Sequence, residues 1–389
     1  MNEAKVKILE ITNVDFSLTH FVLPLMRALR AQGHEVVGVC ADGPLVAQTR
    51  AEGFRVETVP FVRSYAPLGQ AKAFWALLRL IKREKPDMVH AHMPISGILA
   101  RVAAKLCGVP CIAYTCHGFL FNQPSSKARQ RLSLILEKLC GHLTNLYLTV
   151  SQEEAEDARR LHIHPHPVAI GNGRSSTLFK PDAATRARIR AELDTEETTP
   201  VIIAVSRLVR HKGYPELLAA MESVPQAELW IVGERLPSDH GSSLDACFHK
   251  ARAALGSRLK CLGYRSDIPA LLAAADIFTL PSHFEGLPMS IIEAMLTELP
   301  VVSTEIRGPR EQVVHNQTGL LVPANKVAPL AAALRTLTLN PALRRRMGAA
   351  GRKRALELFE EENVLNKTVR LLLGQAQKTN RVHSPAHRS

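Results

Sequence analysis

No run of eighteen uncharged apolar residues occurs in the 389-residue sequence, and the longest candidate, FWALLRLI, is interrupted by Arg79. A bilayer-spanning helix needs about 20 mostly apolar residues, so a spanning chain is excluded. The N-terminal MNEAKVKILEIT enters a strand pattern without the apolar h-region of a secretory leader, which predicts a cytoplasmic address. Cysteines number seven, at positions 40, 107, 111, 116, 140, 247 and 261, mostly inside apolar runs and without paired C-x-x-C arrays. That count and spacing argue against a disulfide framework or a zinc ribbon and predict reduced, mostly buried thiols. Aromatic residues make up only 5% of the chain, and no RNP-type or finger pattern accompanies them, which speaks against nucleic acid as a partner. Acidic residues are also short, 36 against 49 basic ones, for a net charge of +13. The excess is concentrated between Arg63 and Val150, where twelve Lys/Arg face three Asp/Glu. Such a stretch suits a phosphorylated substrate or an anionic membrane surface.

What is present is a length suited to two domains and a repeated alternation of β-rich and helical runs. The first half reads VKILEI, a helix over Phe21 to Gln32, EVVGV, RVETV, a helix over Leu68 to Lys85, DMVHAH, a helix over Gly97 to Leu106, and CIAYT. The second reads VIIAVS, a helix over Tyr214 to Val224, ELWIV, LKCLGY, DIPALLAAA, DIFTLP and VVST. Alternation of this kind predicts βαβ units on parallel sheets, and the turn-rich Gly171 to Asp182 between the halves reads as a hinge. Ligands of doubly wound sheets bind beyond the carboxyl ends of the strands, so two such domains are expected to face a cleft holding the ligand. His117-Gly118, Arg207, Gly233-Glu234 and His283 to Gly286 each follow a strand.

SHFEGLPMSIIEAM, from Ser282 to Met295, places Glu285 and Glu293 eight positions apart around a Gly-Leu-Pro helix start. Pro288 suits a first helical turn because its missing N–H would have no acceptor there, and Gly286 allows a sharp approach. The free N–H groups of that turn, from the junction Gly286, Leu287, Met289 and Ser290, favour an anion such as a diphosphate. Glu285 and Glu293 can then accept hydrogen bonds from hydroxyls, although glutamates at this spacing are also ordinary on helix surfaces. In VSRLVRHKG, Arg207 and Lys212 stand five apart on a post-strand loop and can converge on phosphate oxygens, or stand as solvated cations. No Asp-x-Asp pair exists to hold a divalent ion on a nucleotide diphosphate, and fixed cations with a helix terminus can substitute for it. In YTCHGF, His117 can reach a substrate hydroxyl or be a satisfied core histidine. His90 and His92 share one strand face; zinc there lacks a third ligand at recognisable spacing, and the pair reads as structural or acceptor-side.

Together PSHFEGLPMSIIEAM, VSRLVRHKG, HGF and GPREQVVHNQTGLLVP resemble the family-4 retaining glycosyltransferases of the GT-B fold, over about residues 5 to 373. The resemblance implies an α/β fold of two Rossmann-like doubly wound domains: an acceptor-side domain over 1–172, a nucleotide-sugar domain over 173–354, and a return helix over 355–373 packed on the first. It implies that Arg207 and Lys212 neutralise the donor diphosphate, Glu285 holds the donor sugar, Glu293 the ribose, and His117 contacts the sugar from the first domain. Gly233 joins Gly286, Leu287, Met289 and Ser290 on the donor side. The implied reaction is metal-independent sugar transfer with retained configuration, without cofactor, the nucleotide-sugar being a substrate. The leaving phosphate itself helps deprotonate the acceptor, which suits a sequence showing no convincing nucleophile and base pair.

Many members carry a Gly-rich loop after the first strand, whereas ITNVDFSLTHF has none, so contacts there fall to Asn13, Ser17 and Thr19, with His92 nearby on the acceptor side. VHAHMPISGILARVAAKLCGVPCIAYTCHGFLFN and EIRGPREQVV resemble bacterial members that use UDP-linked sugars on polyprenyl-diphosphate-linked glycans. Ser125 to Gly141 combines Lys127, Arg129, Arg131 and Lys138 with Leu132, Leu134, Ile135, Leu136 and Leu139, a pattern for peripheral binding at the inner membrane face or for a domain helix with a solvated basic side. Residues 374–389 read as a disordered basic tail. Two other readings stay open: a UDP-sugar 2-epimerase on the same fold, and a non-catalytic partner subunit.

Overall fold

The computed structural model describes residues 5–62, 67–123, 125–235 and 243–383. Contacts divide the chain into one unit of the residues up to Gly171 with those from Val364 onward, and a second of Asn172–Asn363.

The first unit holds seven parallel strands: β1 (Lys7–Ile11), β2 (Glu35–Cys40), β3 (Arg55–Thr58), β4 (Met88–His92), β5 (Cys111–Cys116), β6 (Leu146–Thr149) and β7 (Val168–Ala169), in the order β3-β2-β1-β4-β5-β6-β7. The last two were not expected; LYLT and VA are too short to carry a period, and β6 is recruited by pairing with β5 and β7 by pairing with β6. The β-branched and apolar runs are buried on both faces, as a parallel sheet covered by helices requires. Side chains alternate: Leu9, Val89, Ile112 and Tyr114 enter one core layer, and Ile8, Met88, Cys111 and Ala113 the other.

The segment after β1 is a correction to the sequence reading. Where a loop was expected, helical structure begins at Asp15 and runs through a π turn, Leu18–Val22, into the helix Leu23–Ala31. Asp15 drives this: one carboxylate oxygen accepts the Phe16 N–H at 2.8 Å and the other the Leu45 N–H at 3.0 Å.

The chain's last helix also departs from expectation. Pro341–Leu358 forms one helix and Glu361–His383 a second, so residues 374–383 are helical, not a disordered tail; 384–389 lie outside the described residues. Val369, Leu372, Leu373 and Ala376, spaced i, i+3, i+4, i+7, are buried in the first unit's core, each large side chain stabilising by about 1.5–3 kcal/mol. Ala376 and Thr379 continue that buried stripe past residue 374, with Thr379 against the Cys111 thiol.

The second unit has six parallel strands, β8 (Val201–Val205), β9 (Glu228–Val232), β10 (Leu259–Cys261), β11 (Ile277–Leu280), β12 (Val301–Thr304) and β13 (Gly319–Val322), in the order β10-β9-β8-β11-β12-β13. Both sheets reverse their strand order next to the first strand, between β1 and β4 and between β8 and β11. Those reversals are where each unit offers a crevice at its strand ends. The ends of the second unit meet: Arg174 and Glu360 form a parallel bridge, with the Arg174 N–H donating to the Phe359 carbonyl at 3.0 Å and the Glu361 N–H to the Arg174 carbonyl at 3.2 Å.

Candidate active site

In the second unit, the loops leaving β8 and β11 are locked together at the switch point. The turn Arg210–Lys212 ends at Gly213, whose φ of +79° and missing side chain are both required, because a Cβ there would lie 2.0 Å from the Pro281 carbonyl oxygen. The His283 N–H donates to the His211 carbonyl at 2.8 Å, and the His211 and Phe284 rings stack at 4.5 Å. These contacts bring Lys212 Nζ to 2.6 Å from Glu285 Oε1, which also accepts the Ser282 hydroxyl at 2.6 Å. The two motifs that sequence placed 73 residues apart therefore share one carboxylate oxygen.

Arg207 is exposed on the same β8 loop. Gly233, after β9, lets that loop pass: its Cβ would lie 2.0 Å from the Ser206 carbonyl oxygen. The helix after Glu285 is Met289–Leu296, with Pro288 extended at ψ 124° as its N-cap; the expectation of Pro288 inside the first turn is off by one position. Met289 and Ser290 form that first turn, where backbone N–H groups have no acceptor within the helix. The preceding carbonyls are held from outside: Asn172 Nδ2 donates to Leu287 O at 2.7 Å, Gln312 Nε2 to Pro288 O at 2.9 Å, and Gly308 packs so closely on Gly286 that a Cβ would lie 1.7 Å from its oxygen.

Glu293 is not a free acceptor. Arg174 Nε donates to its Oε1 at 2.7 Å, and burial pushes the Glu293 carboxyl up from its ordinary value, with Arg174 working against that. Sequence reasoning missed Arg174, one of two cations in GNGRSSTLFKPD, which nothing in spacing connects to a glutamate 119 residues away.

In the first unit, the face of the sheet carrying Ile8, Met88 and Cys111 turns polar toward the strand ends. Glu10 is in register with His90, and His92 with Thr115. The Glu10 carboxylate contacts His90 Nδ1 at 3.0 Å and His92 Nε2 at 2.8 Å; His90 Nε2 meets the Thr115 hydroxyl at 2.8 Å, and His92 Nδ1 meets His117 Nε2 at 3.2 Å. Gly118, at φ +115°, turns the chain immediately after His117. Burial would raise the Glu10 carboxyl, but His90 and His92 outweigh it and hold it at about 2. Burial, reinforced by the neighbouring imidazoles, lowers His92 to about 4 and His117 to about 3, so both are neutral at physiological pH. Glu10, His90 and His92 are the one group among the described residues whose donor atoms cluster closely enough for a cation, within 4.8 Å of one another. Their direct hydrogen bonds already use those atoms, and the cluster reads as a proton-bridged one. Glu10 was not singled out from sequence, although an acid inside the apolar run VKILEI of a central strand is the signal that finds it.

Of the other acceptor-side residues, Asn13 follows β1, and its buried Oδ1 has no hydrogen-bond partner among the described residues. Ser17 is buried at the end of the helix Asp15–Ser17. Thr19 is buried and shares its hydroxyl with Thr49 at 3.0 Å, inside the fold, which corrects its placement as a substrate contact.

Two family models match the chain: "Glycosyl transferase 4-like domain" over residues 18–173 and "Glycosyl transferases group 1" over residues 185–354. Among curated proteins, the UDP-Gal:alpha-D-GlcNAc-diphosphoundecaprenol alpha-1,3-galactosyltransferase of Escherichia coli is 29% identical over 300 residues, 74% of this chain and 76% of that protein. The N,N'-diacetylbacillosaminyl-diphospho-undecaprenol alpha-1,3-N-acetylgalactosaminyltransferase of Campylobacter jejuni is 24% identical over 360 residues, 90% of this chain and 93% of that one. Among solved structures, Anabaena HepE in complex with UDP and glucose superposes with a TM-score of 0.81 at 21% identity, covering 94% of this chain and 99% of HepE. Sucrose-phosphate synthase from Thermosynechococcus elongatus reaches a TM-score of 0.83 at 22% identity, covering 98% and 100%.

Proposed function

The chain belongs to the group 1 glycosyl transferases of the GT-B fold, and from that premise we propose that it moves a hexose or N-acetylhexosamine from a UDP-sugar to a polyprenyl-diphosphate-linked glycan, with the anomeric configuration retained. Its coarser role is glycosyl transfer in polysaccharide biosynthesis. The observation that carries the finer reading is the Lys212–Glu285 contact of 2.6 Å at the β8/β11 switch point. It sets a cation for the diphosphate beside a carboxylate for sugar hydroxyls, next to a helix terminus for phosphate oxygens. Glu293, oriented by Arg174, takes the ribose hydroxyls through its remaining acceptor capacity. In the transfer, the bond from the anomeric carbon to the β-phosphate oxygen breaks and the acceptor oxygen bonds to that carbon on the same face. The acceptor proton passes to the leaving phosphate, whose growing charge Arg207, Lys212 and the helix N–H groups stabilise. No cofactor takes part in this scheme, and the roles of Arg207, Lys212, Glu285, Glu293 and His117 belong to it as proposals.

A panel of UDP- and GDP-sugars tests the donor. UDP and one UDP-sugar are expected to raise the thermal midpoint, and that sugar to pass to a polyprenyl-diphosphate-linked glycan. Epimerisation of UDP-N-acetylglucosamine without any acceptor would overturn the transferase reading in favour of the epimerase.

The acceptor's lipid gives the basic helix a use. Lys127–His142 buries Ser133, Glu137, Cys140 and Gly141, leaves Leu134 and Leu136 half-buried, and exposes Leu132, Ile135 and Leu139 at 51%, 54% and 62%. The surface-binding stripe is thus three residues, not the five read from sequence. Among the described residues no helix is long and apolar enough to cross a membrane, and we place this stripe and its flanking Lys127, Arg131 and Lys138 on an anionic membrane surface at the inner face. Sedimentation with phosphatidylglycerol vesicles is expected at low salt, to weaken as salt rises, and to be lost in a Leu132→Ser/Ile135→Ser/Leu139→Ser chain. No binding at low ionic strength would remove this role.

A further inference from the structure

We propose that Glu10 and His92 are positioning residues that fix the tautomer of His117 and so make its Nδ1 an acceptor for a substrate hydroxyl. The inference rests on the transferase reading for the identity of that hydroxyl, a sugar or acceptor O–H, and, for the tautomer, on the hydrogen bonds between an ionised Glu10 and neutral imidazoles.

Each proton in the cluster is placed by elimination. An ionised carboxylate only accepts, so the atom of His92 that lies 2.8 Å from Glu10 Oε2, its Nε2, carries the N–H. A neutral imidazole has one N–H, which leaves His92 Nδ1 with a bare lone pair. The ring atom 3.2 Å from that lone pair is His117 Nε2, which must therefore be the protonated nitrogen of His117. His117 Nδ1 is then bare. It makes no hydrogen bond with the described residues and is not among their sealed, unpartnered atoms, so it reaches solvent. In the other arm, His90 Nδ1–H donates to Glu10, and His90 Nε2 and the Thr115 hydroxyl share a hydrogen bond of 2.8 Å. The arm through His92 thus ends in one open position, a lone pair at the end of β5.

The opposite polarity is costly. It would set the bare nitrogen of His92 against a carboxylate at 2.8 Å in a fully buried site, two lone pairs facing with no water between them. A neutral glutamic acid would remove that cost, but two imidazoles already hold Glu10 as the anion. The relay also explains why a central parallel strand carries a buried acid. Glu10 touches no substrate in this scheme. It orients and polarises His92, which does the same for His117, and the second imidazole keeps the charge at a distance from the site.

The tautomer can be read directly in protein labelled with 15N-histidine, with the His117 ring nitrogens identified by their loss in a His117→Gln chain. In the unsubstituted protein, His117 is expected protonated at Nε2 and bare at Nδ1. In Glu10→Gln, the new amide can donate to His92 Nε2, which reverses the relay and moves His117 toward the Nδ1–H form. Turnover in that variant is expected to fall about 10–100-fold with little change in KM for the donor. His117 protonated at Nδ1 in the unsubstituted chain overturns the proposal, and this reading stands even if Glu10→Gln fails to fold. A folded Glu10→Gln chain with either its tautomer or its turnover unchanged also overturns it, as does zinc bound at one per chain and lost on this substitution. The tautomer is read without donor, so a chain that transfers no sugar would sink the function proposed above and leave the relay to be decided on its own.

Discussion

A Lys212→Ala chain is expected to fold and to lose about 10²–10³-fold in kcat, the size seen when one fixed donor to a developing anion is removed. The loop that carries Lys212 does not depend on its side chain. It is held by the approach of Gly213 to Pro281, by the His283 N–H donating to His211 O at 2.8 Å, and by the stacked rings of His211 and Phe284. Losing the ammonium leaves Glu285 with the Ser282 hydroxyl, at a cost of about 1–3 kcal/mol for a charged group short of its partner. The effect on rate is larger because the diphosphate gains charge as the glycosidic bond breaks, so the missing cation is felt most in the transition state. The loss should accordingly appear in kcat more than in KM. Lys212→Arg, which keeps the charge but alters its shape, is expected to fall between the two. Initial-rate kinetics over the donor concentration decide this, and wild-type kcat in a folded Lys212→Ala chain removes Lys212 from the mechanism.

The largest loss of stability is expected from Glu137→Ala. Arg101 is fully buried, its Nη1 lies 2.9 Å from Glu137 Oε1, and the Tyr147 hydroxyl donates to the same oxygen at 2.8 Å. Its guanidinium lies 3.8 Å over the Tyr114 ring, and its Nε donates to the Gly97 carbonyl at 2.9 Å. Burial works against the cation, but Glu137 outweighs it and raises the Arg101 pKa above its ordinary value. Without Glu137 the guanidinium cannot shed its proton, and an uncompensated buried charge costs about 3–5 kcal/mol. In a unit of this size that is a fall in thermal midpoint on the order of 10 °C. Because the penalty is for the orphaned charge and not for the missing pair, Arg101→Met/Glu137→Leu should recover most of it. Calorimetry of Arg101→Met, Glu137→Leu and the double variant gives the cycle; a Glu137→Ala chain as stable as the wild type would contradict this account.

Much of the architecture was legible because a parallel sheet writes itself into sequence. Strands buried on both faces read as short apolar runs, and the helices between them keep their own period. What escaped was either too short, as with β7 at two residues, or polar for a reason local pattern cannot carry. The helical segment 374–383 was hidden because the side chains it buries are small: Ala376 and Thr379 bury little area but suffice to seat it. In the candidate site, Glu285, Lys212, Arg207 and His117 could be picked out since each follows a strand. Their partners could not. Arg174, Ser282 and Glu10 act through contacts made by the fold, and Glu293, read from sequence as an acceptor for ribose hydroxyls, is already held by Arg174. Thr19 erred the other way, a hydroxyl in the right segment that the fold had already used.

The Arg174–Glu360 bridge has a consequence for how such chains diversify. A segment whose entry and exit lie side by side can be cut out and replaced through one seam, as inserted domains are. Recombination between relatives at this seam would exchange the second unit whole, together with Arg174 and the Glu293 it orients. The first unit, carrying Glu10 and its imidazoles, would pass intact. New combinations would then arise by shuffling two finished parts.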